Sequence, residues 1–136
     1  GLFVAIFLLT PHIQLFESVI GFAWPALPTP VVDLFTVIAL IALLALLFHR
    51  ITHPVVRYLS TSGDYVVWAV TFLPLLTGYI AFHRIGLSPP MLIALHILSV
   101  ELLMVLFPFT KLMHTFSLFI ARYYNGAIAG YKGVQS

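Results

Sequence analysis

Cysteine is absent from the 136 residues, and charged residues make up only 7% of them. The missing cysteines exclude disulfides, thiolate catalysis and any iron–sulfur cluster held by this chain. The formal net charge of +2 comes from scattered side chains and not from a basic run, which excludes a surface for nucleic acid. An iron–sulfur cluster that works with this chain must therefore belong to a partner.

Apolar residues dominate the composition. They make up 62% of the chain, and the mean hydropathy is +1.12. Such a chain cannot present an ordinary soluble surface around one core. Its apolar runs approach the twenty or so residues that a spanning helix needs. The sequence therefore predicts an all-α integral membrane helical bundle.

Three full spans and one half span are predicted. The full spans cover residues 31–49, 65–82 and 89–107. Residues 1–9 are also apolar, but nine residues cross only about half of the hydrocarbon core. No charged segment of the kind that opens a signal peptide precedes them. We therefore expect residues 1–9 to be the end of a helix that begins upstream in the natural protein.

Two segments of the chain lie outside these spans. Residues 12–24 are amphipathic and end in Trp24, which predicts a helix along the membrane surface. Residues 125–136 form a polar tail. The predicted domain organisation is a transmembrane domain at 1–124, followed by this tail on the cytoplasmic side.

Lysine and arginine give the orientation. Five of the six lie at one membrane face: Arg50, Arg57, Lys111, Arg122 and Lys132. By the positive-inside rule that face, with the C-terminus, is cytoplasmic. The six histidines then divide into an outer group, His12, His83 and His96, and an inner group, His49, His53 and His114.

His96 and His114 are the leading candidates for a functional site. They lie eighteen residues apart, so on one continuous helix they would share a face about 27 Å apart along the axis. An imidazole inside a span is costly and usually functional. Axial ligation of two haem irons fits such a pair. The alternatives are a hydrogen bond from His96 to a neighbouring helix and a solvated interfacial role for His114.

The other histidines and one acid are weaker candidates. His49 and His53 are one turn apart and could share a ligand, or form a solvated pair at the interface. His12 and His83 flank span ends, where either could bind a quinone head group or face water. Glu101 lies mid-span, about 140° around the helix from His96. It would be either part of a proton path or a neutral structural acid.

One stretch of the chain resembles a known family. Leu95-His96, followed by the segment 106–114 with the sequence LFPFTKLMH, is similar to the last spanning helix of the membrane cytochrome b subunit of respiratory nitrate reductase. It is equally similar to the related subunits of heterodisulfide-reductase-like and sulfite-reduction-associated complexes. The resemblance implies a five-helix bundle in which His96 and His114 each ligate one b-type haem.

Weaker sequence similarities extend the resemblance over nearly the whole chain. Thr10-Pro11-His12 and the segment 60–64 match positions of the same subunit in the same order. One feature departs from it, because the family's second helix supplies two further axial histidines and residues 1–9 contain none. The second ligand of a haem would then be His83, His12 or a residue upstream, and the number of haems is one or two.

The resemblance implies a function in electron transfer. The chain would carry electrons across a prokaryotic cytoplasmic membrane between a quinone or menaquinone pool, near the outer haem, and an iron–sulfur subunit on the cytoplasmic side. It would be the electron-transfer subunit of an oxidoreductase complex, with no catalytic residue of its own. The competing hypotheses are a transporter or proton-path module that uses His96 and Glu101, and a cofactor-free membrane anchor.

Overall fold

The computed structural model describes residues 1–133, which contain helices and no strand. Seven α-helices follow one another along the chain, with two short 3₁₀ turns between the last two. The α-helices are α1 (Leu2–Leu8), α2 (Thr10–Ile20), α3 (Thr29–Thr52), α4 (Pro54–Leu59), α5 (Ser62–His83), α6 (Pro89–Leu106) and α7 (His114–Tyr131). The 3₁₀ turns are Phe107–Phe109 and Lys111–Met113.

The three predicted full spans are confirmed. Helices α3 and α5, and α6 extended by the first 3₁₀ turn to Phe109, are each long and apolar enough to cross a membrane. The predicted half span corresponds to α1, and α2 follows it after a bend of 55°. Taken together, α1 and α2 are apolar enough to form one further, broken span. The protein is therefore an all-α membrane helical bundle.

Proline and the N-cap region determine where the spans begin. Proline occupies the first turn of α3 and of α6, where its missing N–H costs no helical hydrogen bond. Helix α5 begins differently, because the Asp64 carboxylate accepts hydrogen bonds from the N–H and the hydroxyl of Thr61, at 2.8 and 2.9 Å. An acceptor at this position satisfies a backbone donor that the first turn leaves free.

The helix of the half span and the three full spans pack on one another in the order in which they follow along the chain. The closest packing joins α5 to α6, and α3 contacts both α1 and α5. The indole N–H of Trp68 on α5 donates to the Leu43 carbonyl on α3 at 2.6 Å. Few side chains are buried, among them Val32, Val70 and Leu92, while most large apolar side chains are exposed. Exposed apolar surface of this extent is what helices that face lipid require.

The last span does not continue to His114 as one helix. Helix α6 ends at Leu106, two 3₁₀ turns follow, and Thr110 between them has an extended backbone (φ −117°, ψ 172°). Pro108 explains the break, because its ring excludes a helical hydrogen bond and crowds the preceding turn. The expectation that His96 and His114 share a helical face is therefore wrong, since that argument needs an unbroken helix.

One end of the bundle carries an ionic cluster around Asp64. Lys111 Nζ lies 2.8 Å from Asp64 Oδ1, and Arg50 Nη1 lies 3.6 Å from Asp64 Oδ2 and 3.0 Å from the Ser60 hydroxyl. We call this the basic end. The cluster joins the end of α3, the start of α5 and the connection between α6 and α7, so one carboxylate ties three parts of the chain together.

The link between α3 and α5 can be tested at Trp68. Replacing it with phenylalanine removes the donor to the Leu43 carbonyl and keeps most of the apolar volume. We expect Trp68→Phe to lower the free energy of unfolding by about 0.5–1 kcal/mol, the usual contribution of an interhelical hydrogen bond. Thermal unfolding in detergent micelles measures the effect. Tyr58→Phe, at a position 89% exposed, is the control; equal stability of the two variants would contradict the assignment.

Candidate functional site

Two half-buried imidazoles from different helices lie close together. His12 on α2 and His96 on α6 have ring centroids 6.0 Å apart and ring planes 21° from parallel. Both residues are partly buried. They are 84 positions apart in sequence, so only the fold brings them together. We call this pair the His12/His96 site.

The break between α1 and α2 positions His12. Leu9 adopts an extended conformation and Pro11 has no N–H, so carbonyls at the end of α1 lack their helical donors. Other groups replace those donors. His12 Nδ1 lies 2.7 Å from the Ala5 carbonyl, Trp24 Nε1 donates to Phe7 at 2.5 Å and the Leu27 N–H donates to Leu8 at 3.1 Å.

The Ala5 carbonyl also fixes the tautomer of His12. A carbonyl oxygen only accepts hydrogen bonds, so the proton of the neutral imidazole must be on Nδ1. Nε2 then carries a lone pair. The described residues provide no hydrogen bond to that nitrogen.

The same reasoning applies to His96 through a hydroxyl on α5. The Thr77 hydroxyl donates to the Leu73 carbonyl at 2.7 Å, the usual back-bond of threonine in a helix. Its oxygen is then free to accept from His96 Nδ1, which lies 3.2 Å away. The Ser99 hydroxyl, 2.9 Å from Thr77 Oγ1 and 2.7 Å from the His96 carbonyl, completes the local network. With the Thr77 hydroxyl donating to Leu73, the proton of a neutral His96 ring is assigned to Nδ1 and the lone pair to Nε2.

Gly78 allows the ring of His96 to lie against α5. A Cβ atom at this position would be 2.9 Å from His96 Cε1 and 3.2 Å from Nδ1, which is closer than van der Waals contact permits. A larger residue would push the ring away from the Thr77 hydroxyl. The glycine thus sets how closely α5 and α6 approach at the level of the site.

These features define what the site can bind. Each ring is held by its Nδ1, the arrangement by which metal-binding histidines are commonly oriented, and each presents an unprotonated Nε2. No group of three or more histidine, cysteine, aspartate or glutamate side chains suited to a metal occurs within residues 1–133. The site therefore offers two neutral nitrogen atoms as metal ligands. It lacks the third and fourth protein ligands that zinc usually takes.

His114 lies away from this site. It begins α7, is exposed, and its Nδ1 bonds to the Lys111 carbonyl. None of the ring contacts within residues 1–133 joins it to another histidine. The structure therefore does not bring His114 together with His96 or with another imidazole of the described chain.

The remaining histidines occupy the two ends of the bundle. His83 Nε2 lies 3.2 Å from the Asp33 carboxylate, which ties the end of α5 to the start of α3, and its ring contacts Tyr79. His49 and His53 are exposed and lie together, with ring centroids 5.1 Å apart. Neither pair includes His96. Among the weaker histidine candidates, His12 is therefore the one that the fold brings next to His96.

Glu101 is separate from the His12/His96 site. Its side chain is exposed on α6, and no hydrogen bond or ion pair within residues 1–133 includes it. Glu101 follows His96 by five residues on α6, which corresponds to about 140° around the helix axis. A proton path that joins Glu101 directly to His96 has no connecting side chain in the described part of the chain.

Thr77 and Gly78 are site residues that were not among those predicted from the sequence. Both belong to a proline-containing stretch of α5, and small residues in spanning helices often mark close helix contacts. That pattern is common in membrane helices, so it does not by itself point to an imidazole. The partner of the glycine became evident only from the packing of α6.

Comparison with known proteins gives a relative of this chain but no activity. No family model matches the chain, and no solved structure matches it. It is 39% identical over 114 residues to a protein of Nitratidesulfovibrio vulgaris strain Hildenborough, an alignment that covers 84% of this chain and 50% of the relative. The chain thus spans about half the length of that relative, whose description, "Protein", names no activity.

The contact between Gly78 and His96 can be tested by adding a methyl group. We expect Gly78→Ala to lower stability by about 1–3 kcal/mol, the usual cost of overpacking, and to move the ¹⁵N resonances of His96. Gly63→Ala is the matched control, because its Cβ would meet its nearest neighbour, Thr61 Oγ1, at an ordinary 3.6 Å. Thermal unfolding and histidine ¹⁵N spectra report the two effects. Unchanged His96 resonances in Gly78→Ala would contradict the described packing.

Proposed function

We propose that the protein is a membrane cytochrome b subunit that transfers electrons across a prokaryotic cytoplasmic membrane. It connects a quinone or menaquinone pool with an iron–sulfur partner subunit at the basic end of the bundle, which is the cytoplasmic end by the positive-inside rule. The observation that carries the proposal is the His12/His96 site, in which two Nδ1-protonated imidazoles from different helices approach to 6.0 Å.

The donor set fits a b-type haem. His12 and His96 supply two imidazoles from different helices, with ring centroids 6.0 Å apart, and imidazole is a ligand that haem iron takes from proteins. A haem iron takes four of its ligands from the porphyrin and needs two from the protein. His12 and His96 would hold it, with the Ala5 carbonyl and the Thr77 hydroxyl orienting the rings. The bound haem would supply one-electron redox chemistry.

The pairing of His12 with His96 would supply the axial ligand that the family takes from its second helix and that this chain lacks there. Residues 1–9 contain no histidine, so the outer haem needs another partner for His96. Both His12 and His83 were candidates for that role. The geometry favours His12, because His83 is engaged with Asp33.

A second haem at the basic end would rest on His114. Its Nδ1 bonds to the Lys111 carbonyl, which leaves Nε2 available, as in the His12/His96 site. Residues 1–133 provide no imidazole in ring contact with it. The proposal therefore assigns one complete haem site to this chain and half of a second one.

The competing proton-path hypothesis has weaker support. Its strongest element is the hydrogen-bonded group of Thr77, Ser99 and His96. Within residues 1–133, that group ends on backbone carbonyls and does not extend to Glu101 or to a titratable group at either end of the bundle. A proton path needs a continuous series of such groups, whereas haem ligation needs two nitrogens.

The proposal is tested by substituting each histidine and measuring haem content. We expect His12→Ala and His96→Ala each to lose one haem per chain in dithionite-reduced minus oxidised spectra, because each removes an axial ligand. His53→Ala, at an exposed imidazole outside the site, is the control and retains the wild-type haem content.

A conservative variant separates ligation from folding. We expect His12→Met to retain haem and to raise its midpoint potential, because a thioether ligand stabilises the reduced iron. Loss of haem from His83→Ala and not from His12→Ala would overturn the pairing. Absence of any haem from the purified membrane complex would overturn the function and favour the proton path.

A further inference from the structure

We propose that α7 lies along the membrane at the basic end and binds a surface of anionic lipid through one aromatic face. The helix runs from His114 to Tyr131 and follows the last span after one short 3₁₀ turn. Among the described helices it packs mainly on the 3₁₀ turn that precedes it. The proposal concerns a surface separate from the His12/His96 site and does not depend on haem.

One face of the helix carries six of its eight large apolar side chains, while Leu118 and Ile128 lie outside that face. At 100° per residue, one arc of about 140° holds the six; these are Phe116, Phe119, Ile120, Tyr123, Tyr124 and Tyr131. All six are exposed, including Phe119 at 73% and Tyr123 at 81%. Arg122 and Asn125 fall outside this arc. Aromatic rings with polar edges are typical of the membrane–water interface, so the face has the composition of an interfacial helix.

The charges of this region complement an anionic surface. The chain contains no acidic residue after Glu101, while Lys111, Arg122 and Lys132 are all cationic. Lipid head groups of the cytoplasmic leaflet attract such residues. Lys111 is engaged with Asp64, which leaves Arg122 and Lys132 as the cations that α7 and its C-cap present.

A ring contact with the last span locates the start of the aromatic face. Phe116, the first residue of that face, packs its ring against Phe107 of the last span, with centroids 5.7 Å apart. In a helix continuing straight from α6, residues nine positions apart would be separated by about 13 Å along the axis. The chain instead turns back at Pro108 and Thr110. The aromatic face therefore starts against the part of the span that enters the bilayer.

The native absence of cysteine makes a direct test straightforward. Single cysteines at Tyr123 and Ile120, and matched ones at Arg122 and Asn125 on the other face, can each carry a fluorophore. The full chain is reconstituted alone in phosphatidylcholine vesicles containing phosphatidylglycerol and nitroxide-labelled lipids. We expect lipid nitroxides to quench the labels at positions 123 and 120. The emission of these two labels should also be blue-shifted relative to that of the labels at positions 122 and 125, which a water-soluble quencher reaches.

Each outcome decides the proposal. Equal access of the water-soluble quencher to both faces in these vesicles would overturn it, and would assign the aromatic face to a protein partner that the vesicles lack. Vesicles of phosphatidylcholine alone test the charge component, since loss of anionic lipid should reduce quenching at Tyr123. Unchanged quenching there would overturn the anionic-lipid part and leave an apolar contact. Circular dichroism of each variant verifies that the helix is retained.

Discussion

The close approach of α5 and α6 at Gly78 is the constraint on which the interior of this protein depends. Because the glycine has no Cβ, the His96 ring can lie against α5 and reach the Thr77 hydroxyl. That hydroxyl is itself fixed by the Leu73 carbonyl. A glycine, a back-bonded threonine and the ring thus form one unit, in which the backbone of α5 determines the direction of an imidazole on α6.

The ends of the bundle complement this interior contact. Asp64 joins α3, α5 and the connection to α7 at the basic end, and the pair of Asp33 with His83 joins α3 and α5 at the other. Polar side chains therefore fasten the helix ends where water and head groups can solvate them, while the middle is held by packing and a few hydrogen bonds. This division follows from the high cost of charge in the bilayer core.

The sequence predicted much of this fold, because spanning helices are determined by length and hydropathy, which are local properties. Residues 31–49, 65–82 and 89–107 were recognisable without knowledge of their neighbours. Prediction from the sequence was wrong or incomplete where helix continuity and side-chain contacts depend on which groups replace a lost hydrogen bond. Pro108 breaks the last span before His114, whereas the shared face predicted for His96 and His114 needed one continuous helix. The meeting of His12 with His96 also depends on the turn at Leu9 and on helix packing, which no local pattern encodes.

The break between α1 and α2 has a consequence for how this chain can vary. His12 is held by a backbone carbonyl and not by a neighbouring side chain. The side chains around α1 can therefore drift in evolution, provided that they stay apolar, without disturbing the ring. Selection would instead act on the path of the main chain, above all on Pro11, which cannot supply the N–H that would close the helix. A relative with a regular helix here would have to hold its histidine by different means.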